Sequence, residues 1–114
     1  MRYLGYTLAD ESIPLGEPTP DEMERMGAFV DEAMKAGVIV ATGGIAPTAM
    51  GFKVALEDGR YTVTDGPFTE AKELVGGWAL MECRDNDEAI EWSKRFLAVL
   101  GFGEVRVRPV FGDQ

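Results

Sequence analysis

Hydrophobic and polar residues change their spacing several times along this chain, and each change marks an element. From Arg2 to Ala9, Leu4, Tyr6 and Leu8 alternate with Tyr3, Gly5 and Thr7, the period-two pattern of a strand with two usable faces. Pro14, Gly16 and Pro18 interrupt regular pairing and predict a loop. Thr19-Pro20-Asp21-Glu22 opens a helix, with a hydroxyl at the cap, proline at the first position and glutamate three residues after the cap. Met23, Met26, Val30, Ala33 and Met34 recur at helical spacing as its expected inward stripe. Acidic residues load its first turn, Lys35 its last, and Gly37 stops it.

Val38 to Thr42 is a β-branched run that predicts a buried second strand, with Gly43-Gly44 as the turn after it. Residues 52–56 and 60–64 alternate across Asp58-Gly59, a dipeptide suited to the positive φ values of a two-residue hairpin turn. Val75 to Cys83, with Trp78, Leu80 and Met81, is a further apolar strand. Asp85 to Leu100 is helical by pattern, with Asp85 or Asn86 as cap and Gly101 beyond its end. Ala89, Ile90, Ser93, Leu97 and Leu100 form its expected inner stripe, and Glu91 and Arg95 are placed to pair across one turn. Glu104 to Arg108 alternates charge with valine, and Pro109 favours an edge or a strand end.

The order strand, helix, strand, hairpin, strand, helix, strand is an α+β, ferredoxin-like split βαβ plan with an inserted β-hairpin. Two helices then cover one face of an antiparallel sheet. The other face is left with large apolar side chains, Tyr3 or Tyr6 and Met81 or Trp78, which predicts a homodimer with sheets face to face and a cleft beside them.

Composition narrows the chemistry. With 114 residues and 46% hydrophobic content, residues 1–114 suffice for a single domain with its own core. Eleven basic against twenty acidic residues leave a net charge of −9, which argues against nucleic acid and anionic membranes as partners. There is no histidine, so no Ser-His-Asp triad and no imidazole metal ligand. The one cysteine, Cys83, sits in an apolar stretch as an expected core residue and permits no intrachain disulfide or thiolate cluster. Gly43-Gly44 lacks the further glycine of a dinucleotide motif. The expectation is a cytoplasmic protein without cofactor or metal, since no apolar run approaches a membrane span.

The most unusual segment runs from Thr64 to Glu73. Asp65 ends a strand, Gly66 is expected to take a backbone conformation other residues resist, Pro67 fixes the next φ, and Phe68 anchors the corner. Asp65 either bonds its own backbone in a turn, or serves as catalytic acid or base in the dimer cleft, with Glu70, Lys72, Glu73 and Trp78 around a small ligand. Arg106 and Arg108 share one face of the last strand. They either hold an anionic or phenolic ligand in the cleft or keep an edge strand soluble.

Thr64-Asp65-Gly66-Pro67-Phe68, followed by Glu70, Lys72, Glu73 and Gly76-Gly77, resembles the signature of the YCII-related, DGPF-domain family, and the likeness covers nearly the whole chain. The resemblance implies a ferredoxin-like domain related to the dimeric α/β-barrels, with a site beside Asp65. One branch of that superfamily dehydrochlorinates a chlorinated hydroxyquinol with a His-Asp pair, and without histidine that reaction does not transfer here. The resemblance also allows a non-catalytic sensor or interaction module associated with sigma factors. The two expectations are therefore a small-molecule-binding protein or cofactor-free proton-transfer or lyase-type enzyme, and an interaction module.

Overall fold

In the computed structural model, residues 1–9, 18–67 and 74–112 are described. The elements are β1 (Arg2–Ala9), α1 (Pro20–Lys35), β2 (Ile39–Gly44), β3 (Phe52–Glu57), β4 (Arg60–Asp65), β5 (Leu74–Glu82), α2 (Asn86–Leu100) and β6 (Val105–Pro109). A short 3-10 turn at Thr48–Met50 precedes β3. The main sheet runs β2-β5-β1-β6, antiparallel at every pairing, and β3-β4 forms a separate two-stranded sheet. β5 thus lies between β1 and β2, the split βαβ arrangement that the order of elements predicts.

Both helices start at the expected caps. Thr19 Oγ1 accepts from the Glu22 N–H at 3.1 Å and Asp85 Oδ1 from the Glu88 N–H at 2.9 Å, each satisfying a donor that has no partner within its helix. Gly101, with φ of 91°, closes α2. The inner stripes differ from those expected. On α1 the buried residues are Phe29 and Ala33, while Met23 and Met34 are exposed. On α2 Ile90 is exposed, and Trp92 packs on the core that contains Ala89. An unbranched methionine tolerates solvent at a helix margin, whereas the ring of Phe29 stacks at 6.0 Å on Trp92 and 6.2 Å on Phe96. Arg95 does not pair with Glu91. It reaches Glu32 on α1 at 2.6 Å and lies 4.3 Å over the Trp92 ring, while Lys94 takes Glu91.

The register decides which side of the sheet is inside. Tyr3 pairs with Met81 and both are buried against Val38, Cys83 and Ala89, so Tyr3, Gly5 and Thr7 face the helices. Leu4, Tyr6, Trp78 and Leu80 therefore occupy the opposite, open face, where all four are half-buried. Val105 and Val107 face the helices beside Gly5, which turns Arg106 and Arg108 to the open face opposite Tyr6 and Leu4. Gly43 and Gly44 are the last residues of β2 rather than a turn. The Trp78 indole lies where a side chain on Gly43 would project, within 3.3 Å of that position.

Candidate functional site

The core is well filled at one end of the sheet and hollow at the other. Around Tyr3 and Met81 the side chains facing the helices are large. Two residues further along each strand they shrink, to Gly5 opposite Ala79 and Thr7 opposite Gly77. The helices above this stretch carry Met26, Phe29 and Val30 on α1, and Trp92, Ser93 and Phe96 on α2. Small residues below and rings above leave a cavity of about 200 Å³ between the layers.

Among the described residues no carboxylate, amine or guanidinium lines this cavity. The polar side-chain groups among its lining residues are the hydroxyls of Tyr6, Thr7, Thr42 and Ser93 and the indole N–H groups of Trp78 and Trp92. Thr42 Oγ1 donates to the Trp78 carbonyl at 2.7 Å and Ser93 Oγ to the Ala89 carbonyl at 2.8 Å, so both retain only lone pairs. Thr7 is different. The β1–β5 register slips between Thr7 and Leu8, and Thr7 Oγ1 accepts the Gly77 N–H at 3.0 Å. Its own proton has no acceptor among the described residues, which leaves a hydroxyl donor at the cavity wall alongside the indole N–H of Trp92.

The site residues expected from sequence do not gather here. Trp78 alone of them is among the residues around the cavity, although the alternation of β5 turns its side chain to the open face. Asp65 ends β4 on the separate hairpin, exposed and opposite Phe52. Arg106 and Arg108 are exposed on the open face of the main sheet. Phe68, Glu70, Lys72 and Glu73 lie outside the described residues. The corner at Gly66 needs glycine for a reason other than the one expected. Its φ is not positive, but a β-carbon there would overlap the Thr48 carbonyl, and its N–H donates to the Gly51 carbonyl at 2.8 Å. The Gly66-Pro67 peptide is cis.

The cavity residues Phe29, Trp92 and Phe96 escaped the sequence reading, and so did the floor of Gly5, Thr7, Gly77 and Ala79. The available signal was a comparison of two strands at once. Gly5 and Thr7 follow Tyr3 on one face of β1, just as Ala79 and Gly77 precede Met81 on β5. Once the strands pair, the four small residues are contiguous.

Comparison with known proteins agrees with this architecture. A curated protein of Rhizobium meliloti (strain 1021), itself uncharacterised, is 29% identical over 89 residues, which covers 77% of this chain and 72% of the relative. The model of the YCII-related domain matches residues 1–112. With two helices over a four-stranded antiparallel sheet and a hairpin between its halves, the chain belongs to the YCII-related domain family.

Proposed function

We propose that this protein binds a small, neutral, largely aromatic molecule in the hollow between its helices and its sheet. The observation that carries the reading is the cavity itself, about 200 Å³ lined by rings and small residues with no charged group among the described ones. A cavity of about 150 Å³ lined by Leu, Ile and Phe stays dry and takes up benzene, so this one has the size for one or two fused rings. A charged ligand would lose its hydration here and find no counter-charge. A single acceptor such as a phenol or ketone oxygen suits the Thr7 hydroxyl, whose proton has no acceptor among the described residues.

Trp92 reports on the cavity because its indole lies in the wall. Titration with naphthalene should change the emission of the two tryptophans with saturation, and Trp78→Phe should leave the Trp92 part of that change in place. Ser93→Leu adds an apolar side chain to the hollow and removes only a hydroxyl bonded to its own helix, so it should weaken naphthalene binding by about tenfold or more while the thermal midpoint holds or rises. Unchanged binding in Ser93→Leu would place the ligand elsewhere and end this assignment.

The same reading includes a homodimer. Leu4, Tyr6, Trp78 and Leu80 form a half-covered apolar patch on the open face, which a second copy packed sheet to sheet would bury. Asp65 joins a site only through such an assembly, because within one chain it lies outside the cavity wall. Its acid–base role, like ligand binding by Arg106 and Arg108, is thus a property proposed for the dimer.

A further inference from the structure

The β3–β4 hairpin has its apolar side turned outward. Phe52, Val54 and Leu56 alternate along β3 and stand opposite Asp65, Val63 and Tyr61 on β4, so five large apolar side chains share one face of the ribbon. All five are exposed, from 58% at Val54 to 75% at Tyr61. The other face carries Lys53, Ala55 and Glu57 opposite Thr64, Thr62 and Arg60. A two-stranded ribbon is marginal by itself, and one with a dry face in water is doubly so.

The outward face amounts to on the order of 500 Å² of apolar surface, the size of the largest patch a typical monomer shows. Among the described residues no other strand or helix packs extensively on the hairpin, and the molecule as a whole is elongated. The radius of gyration is 16.5 Å and the principal extents are 47 × 38 × 19 Å, against about 13 Å expected for the radius of a compact chain of this length. Both properties belong to an arm. We infer that the hairpin is a dimerisation arm whose apolar face packs on the open sheet face of a second copy, so that each protomer clasps the other.

The occupant is a second copy because one chain carries both halves of the contact, an exposed arm face and a half-buried sheet face. The arm presents Phe52, Val54, Leu56, Tyr61 and Val63, and the sheet presents Leu4, Tyr6, Trp78 and Leu80. A twofold operation pairs arm with sheet twice, and no foreign surface is needed to cover either. Two arms and two landing faces bury on the order of 2,000 Å², which reaches the range of stable interfaces. The contact also carries Asp65, at the base of the arm's apolar face, out of bulk solvent to the seam between subunits. This inference rests on the homodimer proposed above and puts the partner's arm, in place of the partner's sheet, on that open face.

The test is the mass of the whole chain in solution, by size exclusion with light scattering at micromolar concentration. The wild type should be a dimer. Val54→Asp combined with Val63→Asp places two carboxylates at facing exposed positions, leaving the fold intact by circular dichroism and thermal unfolding. It should raise the dissociation constant roughly 100-fold or more. A doubly substituted protein that stays as tightly dimeric as the wild type overturns the arm and leaves the sheet-to-sheet dimer standing, whereas a monomeric wild type removes both. A second measurement does not depend on the charged variant folding. In a Cys83→Ala background, chains carrying Val63→Cys and chains carrying Tyr6→Cys are mixed and oxidised. Disulfides joining one kind of chain to the other support arm on sheet, and disulfides formed only between Val63→Cys chains would set arm on arm and refute it.

Discussion

A methyl group at residue 66 has nowhere to go. The obstruction is the backbone carbonyl of Thr48, which cannot swing aside as a flexible side chain would, and Gly66 is tied to the same turn through its N–H to Gly51. Gly66→Ala should therefore cost about 1–3 kcal/mol in urea unfolding, by forcing the base of the hairpin away from the 48–51 turn. A loss within a few tenths of a kcal/mol would show that the two backbones do not meet. Two other single residues couple the core to pH. Burial first, then the Asp85 charge and the Cys83 thiol, raises the Tyr3 phenol above its ordinary 10.0, and its hydroxyl donates to Asn86 Oδ1 at 2.9 Å. Burial first, then the Glu88 carboxylate, raises the Cys83 thiol above 9.0. In both cases the folded chain keeps a proton that the unfolded chain has released, so the unfolded state binds fewer protons and stability falls as pH rises. The contribution is complete below about pH 8 and drains away through the alkaline range as the raised folded values are passed. The urea midpoint should fall between about pH 8 and pH 10.5, and by less in Cys83→Ala and in Tyr3→Phe. Equal falls in all three proteins would assign the alkaline loss to other groups.

At the scale of elements, the sequence was most legible where chemistry is local. The Thr19-Pro20 and Asp85 caps, the Asp58-Gly59 turn and the alternation of β6 all depend on neighbours within four residues, and each lies where its pattern put it. Asp58 and Gly59 have φ of 50° and 75°, as a two-residue hairpin turn requires. The side of Arg106 and Arg108 was readable too, because valine and arginine alternate without exception. What depended on partners was not readable. A helix with methionines on several faces offers more apolar positions than its contact can bury, and the choice of Phe29 over Met23 and Met34 was made by Trp92 and Phe96, sixty-odd residues away. The slip between Thr7 and Leu8, and the hydroxyl that repairs it at Gly77, exist only after β1 meets β5. A cavity has no periodic signal at all, since it is the place where two well-formed elements fail to touch. The DGPF segment was conspicuous as a motif, yet for Gly66 the constraint is the closeness of a turn fifteen to eighteen residues earlier, which no local pattern records.

At the scale of the whole molecule, net charge and shape make opposing demands on assembly. Each copy carries −9, so two copies repel at long range whatever holds them at contact. The molecule is only 19 Å through its thinnest direction, and charges on the outer sides of a face-to-face pair are separated by little more than two such thicknesses. At an ionic strength of about 10 mM the screening length is about 30 Å and much of that repulsion is felt, whereas at about 150 mM the length is about 8 Å and only charges near the seam still matter. If the seam is the apolar arm on the apolar sheet face, salt removes a penalty without weakening the attraction, because burial of Phe52, Val54 and Tyr61 against Tyr6 and Trp78 is not screened. The dissociation constant measured by sedimentation should then fall as sodium chloride rises from about 10 to about 150 mM. The Val54→Asp, Val63→Asp protein should show little tightening, having lost the attraction that salt would unmask. A wild-type dimer that loosens with salt would identify ion pairs, with Arg2, Arg106 and Arg108 basic groups on that face, as the force that holds the copies together, and the apolar clasp would have to be abandoned.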